Sequence, residues 1–173
     1  MKRSSGRIAL GGLLLSLMLA LGYVESLLPA PSALPGVKLG LSNGVLVFAA
    51  YMLPLPAAYG LMAGKVLLSA LLFAGPGSIL YAGAGGLLSL SAMCLLRRVK
   101  GLHPVAVSMA GGFCHNLGQS LMALWVLRTP ALMGYFGLLL LCGLAAGAVT
   151  GLCAHGVMNH LNAEVHHIGN KKE

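Results

Sequence analysis

Six apolar stretches follow one another along this chain, each close to the length that crosses a bilayer as a helix, with short breaks between them. That feature constrains the fold more than any motif. In lipid no water reaches the backbone N–H and C=O groups, so only helices and closed barrels satisfy them. The stretches lack the polar–apolar alternation of barrel strands, which leaves helices. Composition points the same way. The chain is 58% hydrophobic and 8% charged over 173 residues, whereas a soluble domain carries about a quarter charged residues. A soluble fold of this size exposes too much surface to hide so many apolar side chains. The expected fold is an all-α integral membrane protein: a six-transmembrane-helix bundle in a single membrane domain, residues 1–162, followed by a polar tail, 163–173.

Proline and glycine punctuate the stretches. The first helix is expected over 8–28. It resembles a signal peptide in its basic start and small residues, but Glu25 and a proline-rich loop follow directly, and more apolar sequence follows those. Pro29, Pro31 and Pro35 make that loop stiff and non-helical. Further helices are expected over 37–53, 57–74, 78–96, 105–127 and 132–153, the last with an extension to 162. The breaks are Pro54-Leu55-Pro56, Gly75-Pro76-Gly77, the Arg97–Pro104 loop and Arg128-Thr129-Pro130.

Charge sets the expected orientation. With six spans, Lys2, Arg3, Arg7, Arg97, Arg98, Lys100, Lys171 and Lys172 fall on one side, against Lys38 and Arg128 on the other. The positive-inside rule then places both termini in the cytoplasm and the protein in the cytoplasmic membrane, with lipid as its first partner. The net charge of +8 is explained by this loop bias. Nucleic-acid binding is not expected, because no basic stripe with interleaved aromatics exists. Cys94, Cys114, Cys142 and Cys153 lie in apolar segments at no ligand-like spacing, and read as packing residues. His160, Glu164 and His167 share a helical face, but a polar tail accounts for them; no metal and no cofactor is expected. Gly60 to Val66 has the flavour of a P-loop, yet its spacing is wrong and no strand precedes it.

Ionisable and strongly polar groups within apolar helices are costly, so each one nominates a functional site. Lys65 stands mid-helix, with Ser69 one turn along. His115, Asn116 and Gln119 cluster in the fifth helix, where His115 and Gln119 share a face. Interhelical hydrogen bonding alone accounts for about 1 kcal/mol per contact; the concentration of three such groups favours binding or transport. At the loop, Glu25 and Lys38 are placed to pair, with Ser42 and Asn43 behind them. Small residues at four-residue spacing form two stripes, Gly12-Ser16-Ala20 and Gly143-Gly147-Gly151, suited to close helix packing or, for the first, to docking a partner.

Two segments carry a resemblance: Pro35-Gly36-Val37-Lys38-Leu39-Gly40-Leu41-Ser42-Asn43, and Gly111-Gly112-Phe113-Cys114-His115-Asn116-Leu117-Gly118-Gln119. Together with Glu25, the proline-rich loop and the basic Lys65, they resemble the Gx transporter family, also labelled heptaprenyl diphosphate synthase component I. That family looks related to the substrate-binding S components of energy-coupling factor transporters. The resemblance implies a subunit that binds a small-molecule substrate and docks, here through Gly12, Ser16 and Ala20, on a coupling protein driven by ATPases. The other label implies an accessory role beside a soluble prenyl synthase subunit. The chain has no Asp at all. It lacks the carboxylates that hold Mg²⁺ on a diphosphate, so it is not expected to be an enzyme. The leading expectation is uptake of a small, anionic molecule lined by Lys65, Lys38, Asn43, Glu25, His115, Asn116 and Gln119. The alternative is a membrane subunit of polyprenyl diphosphate synthesis.

Overall fold

The computed structural model describes residues 2–27, 40–128 and 133–170, and every regular element among them is helical. In chain order these are α1 (Lys2–Leu27), α2 (Leu41–Met52), α3 (Leu55–Ser69), α4 (Ser78–Leu96), α5 (Pro104–Leu127) and α6 (Met133–Asn170); a π-helical turn (Ala70–Ala74) continues α3. The six expected helices correspond one to one with these. Lys38 and the prolines of the first loop lie outside the described residues.

The breaks follow from backbone chemistry. Leu53 is extended, as a residue before proline prefers, and Pro54 and Pro56 open α3, where a missing N–H costs nothing. Gly75 takes a positive φ of 81° to end the π-helical turn. Pro104 opens α5, and the His103 side chain accepts the N–H of Val105 as the cap.

Two boundaries differ from expectation. The π-helical turn replaces the last turn of a plain α-helix, widening the backbone just beyond Lys65 and Ser69. α6 continues unbroken to Asn170, well past the expected end near 153–162. Ala163, Glu164 and the residues after them include no proline, and Gly169 comes only at the last turn, so nothing stops the helix earlier. The expected polar tail is therefore helical over most of its length.

Four segments are long and apolar enough to cross a membrane: Gly6–Leu27, Leu55–Ala74, Ser78–Leu96 and Gly134–His160. The described part of α2 is apolar but short. α5 is long but carries Ser108, His115, Asn116, Gln119 and Ser120, which lower its hydropathy. It sits between α4 and α6, and its polar face points at other helices. The outward surface is oily: Leu71, Trp125 and Ile8 are each more than 70% exposed. Such a surface suits lipid, not water.

The interior has two textures. Between α1, α2, α3 and α4 it is a conventional apolar core, centred on Met18, Leu46, Val47, Met62, Leu90 and Met93. Between α4, α5 and α6 it is made by glycine. A methyl on Gly143 would stand 2.5 Å from the carbonyl oxygen of Gly112, and one on Gly147 would stand 2.5 Å from that of Ser108. Gly118 lies equally tight against Ala84. These backbones touch because no side chain separates them.

Candidate functional site

A cavity of about 190 Å³ opens among all six helices. Its lining contains the residues least expected at bilayer depth. Glu25 comes from α1, Ser42 and Asn43 from α2, Lys65 and Ser69 from α3, and His115, Asn116 and Gln119 from α5. The six described candidate ligand residues, scattered over nearly a hundred positions of sequence, thus face one chamber. Lys38 belongs to the undescribed segment, so its expected pairing with Glu25 lies outside the described residues.

At one end, the Gly40 N–H donates to Glu25 Oε1 at 2.5 Å. Gly40 is the N-cap of α2 in the left-handed region, φ 70°, and a carboxylate there meets the positive end of the helix dipole. This bond joins the end of α1 to the start of α2. Beside it, Phe73 of the π-helical turn lines the chamber, meets the Tyr23 ring edge-on at 5.8 Å between centroids, and rests over Gly22.

In the middle, Lys65 Nζ donates to Asn43 Oδ1 at 3.4 Å, a long bond that links α3 to α2. His115 Nε2 and Gln119 Nε2 lie 3.0 Å apart, one turn from each other on α5. Gly85 of α4 makes room for both: a methyl there would stand 2.7 Å from Gln119 Cγ and from the His115 carbonyl oxygen. Asn116 is committed differently. Its amide donates to the Leu139 carbonyl oxygen at 2.6 Å, bracing α5 against α6. Among the described residues, Glu25 and Lys65 are the charged groups of the lining.

The far part of the chamber is lined by hydroxyls and glycine backbone. Ser89, Ser108 and Thr150 are 0%, 2% and 5% exposed. Ser108 and Thr150 lie 3.4 Å apart across the α5–α6 seam, and Thr150 also donates to the Ala146 carbonyl oxygen. Gly44 of α2 abuts the Thr150 side chain. Reading the sequence for charge and amides missed Ser89 and Thr150. The signal for Thr150 was present, since it falls seven residues after Gly143 on the same helical face. Ser89 stands two residues from Ser91 in the apolar helix α4 and carries no such signal.

The small-residue stripes separate. Gly143, Gly147 and Gly151 all face α5 and are internal packing. Gly12, Ser16 and Ala20 are exposed on the outside of α1, with Ser16 Oγ donating back to the Gly12 carbonyl. Near the other end of the bundle the His103 and His155 rings meet edge-on at 4.4 Å between centroids. No group of three metal-ligating side chains gathers among the described residues.

A family model described as heptaprenyl diphosphate synthase component I matches residues 14–157, which takes in every residue lining the chamber. No curated protein and no solved structure gives a match.

Proposed function

We propose, because the chain belongs to the heptaprenyl diphosphate synthase component I family, that it is a non-catalytic membrane subunit that binds a small molecule in its central chamber and acts with a partner protein. One observation carries the binding half of this reading. Glu25, Asn43, Lys65, His115 and Gln119, from four different helices, converge on one cavity. Pairwise interhelical bonds alone do not call for such a convergence, and polar groups inside lipid are retained where they meet a ligand or an ion path.

The family description supports the partner half. A component implies a counterpart, and the absence of Asp from the whole chain leaves Mg²⁺–diphosphate chemistry to that counterpart. The favoured partner is a soluble, Asp-rich prenyl diphosphate synthase subunit. A second reading, uptake of the chamber's ligand with ATPases and a coupling membrane protein, is favoured by the exposed Gly12-Ser16-Ala20 face of α1, which suits close approach of another helix. Both readings take the protein to have six spans and cytoplasmic termini.

The test is affinity purification of the tagged protein in mild detergent, followed by mass spectrometry of what co-elutes. A co-purifying Asp-rich synthase supports the accessory reading. ATPases with a coupling protein support uptake instead. A chain that elutes alone under conditions preserving known membrane complexes counts against both.

A further inference from the structure

We propose that the outward face of α4 and α5 holds an anionic phospholipid, with an acyl chain lying in the groove between the two helices and the phosphate resting on Arg98 and Lys100. The site is outside the chamber, so it stands whatever the chamber binds.

The first observation is the groove. It has a volume of about 490 Å³, a floor at Gly118, and walls that include Leu87, Leu88 and Ser91 of α4 and Leu121 and Trp125 of α5. Gly118 lies backbone to backbone on Ala84, which is why the surface sinks there. Leu87, Leu88, Leu121 and Trp125 are exposed. The Ser91 hydroxyl is shared with that of Tyr59 at 2.8 Å, so the hydroxyl on the wall is already satisfied. In lipid no hydrophobic driving force selects an occupant, and fit decides through dispersion contacts. A narrow apolar trough fits a hydrocarbon chain.

The second is register. Ala84, Leu88, Ser91, Leu95 and Arg98 follow one another at spacings of four, three, four and three, so they run along one face of α4. The helix ends at Leu96. Its bonding continues, since the Arg97 N–H donates to the Met93 carbonyl at 2.9 Å and the Arg98 N–H to that of Leu95 at 3.2 Å. That carries the face on to Arg98. Leu95, 66% exposed, joins the groove to the charge. Ala84 and Leu95 are eleven residues apart, about 16 Å at 1.5 Å per residue. This is close to one leaflet, half of a hydrocarbon core about 30 Å thick. A chain lying along this face therefore ends where its headgroup meets Arg98.

The third is charge. Ser78–Leu96 is long and apolar enough to cross a membrane, so Arg98 and Lys100 stand just past its end, at headgroup depth. Both are exposed. Gly101, at φ 83°, and the Leu102 N–H on the Val99 carbonyl fold the chain into a tight turn around Lys100. Among the described side chains the one carboxylate is Glu25, at the opposite end of the bundle. The two cations therefore look outward for an anion. Arginine meets phosphate oxygens through its planar fork and lysine as a point charge. A zwitterionic headgroup brings its own cation, so a net-anionic one is favoured. An acidic soluble protein would answer the charge and leave the groove unfilled, whereas a phospholipid carries the phosphate and the hydrocarbon in one molecule.

The experiment places the full chain in nanodiscs of equal parts phosphatidylglycerol and phosphatidylcholine, releases it into mild detergent, and measures by native mass spectrometry which lipids stay bound. The expected result is retention of phosphatidylglycerol over phosphatidylcholine. Arg98→Gln combined with Lys100→Gln lowers that preference about tenfold. Arg98→Lys combined with Lys100→Arg keeps it, as does Arg128→Gln at the far end of α5. Leu88→Trp fills the groove and lowers retention of both lipids alike. An unchanged preference in the Gln pair overturns the proposal, and so does an equal loss in Arg128→Gln. Undiminished lipid retention in Leu88→Trp overturns it too. If that variant instead sheds a membrane protein that co-purifies with the parent, the groove seats a partner helix and not a lipid.

Discussion

Glu25 at the end of α1 holds the backbone N–H of Gly40 at the start of α2, so a carboxylate fastens two helices across a proline-rich loop at one end of the chamber. The bond uses the acid as an acceptor for a helix terminus, a role that its spacing from Lys38 did not suggest. It predicts an ordered series. Glu25→Ala loses the bond and costs about 1 kcal/mol for a half-buried contact. Glu25→Gln keeps an acceptor oxygen and recovers part of the loss. Melting midpoints in detergent should rank the parent first, then Gln, then Ala. Equal midpoints for Gln and Ala would show that the hydrogen bond contributes nothing.

The α5–α6 seam predicts a sharp contrast between glycines. Gly147→Ala forces a methyl to within 2.5 Å of the Ser108 carbonyl oxygen, whereas Gly12→Ala meets nothing within 4 Å. The first should cost about 1–3 kcal/mol through overpacking. The second should melt like the parent. Thermal unfolding of the two purified variants, side by side, checks both.

Asn116 and His115 are neighbours in sequence with different duties, and the difference is measurable. Asn116 braces α5 on the Leu139 carbonyl, so Asn116→Ala should lower stability by about 0.6–1.7 kcal/mol, between the average and the maximum for interhelical side-chain bonds in membranes. His115→Ala faces the chamber and loses its 3.0 Å contact with Gln119. It should alter ligand binding more than melting. Identical stability profiles for the two variants would contradict this division of labour.

The proposed six spans make a topological prediction. In a background with Cys94, Cys114, Cys142 and Cys153 replaced by Ala or Ser, a membrane-impermeant thiol reagent applied to intact cells should label Ser26→Cys and not Arg98→Cys. Opening the cells should expose Arg98→Cys. Labelling of both from outside would rule out the six-span arrangement with cytoplasmic termini.

Much of this was legible in the sequence, for reasons that differ by residue. Helices α4 and α5 were readable to within a residue because Gly75, Pro76 and Gly77, and then His103 and Pro104, are local stop and start signals acting on the chain where they stand. Lys65, His115 and Gln119 were readable as residues that turn inward, because lipid penalises them wherever they face out. The far end of α6 was not, since its polarity suggested a tail while its helix propensity, with no breaker before Gly169, carried the helix on to Asn170. Ser89 was not readable either. A serine hydroxyl is cheap to satisfy on its own helix, and only the three-dimensional structure reveals that this one is unsatisfied. The π-helical turn at Ala70–Ala74 has no composition that announces it.

The length of α6 has a mechanical meaning. Thr150, on the chamber wall, and Asn170, at the far end, belong to one unbroken helix and lie twenty residues apart, about 30 Å at 1.5 Å per residue. Beyond His160 the sequence turns polar, with Asn162, Glu164, His166, His167 and Asn170. The turns beyond it are continuous with the helix that carries Gly147 and Thr150. Tilting α6 by about 10° about Thr150 would move Asn170 by about 5 Å. A load on those last turns would be carried along one unbroken helix to the glycine seam against α5.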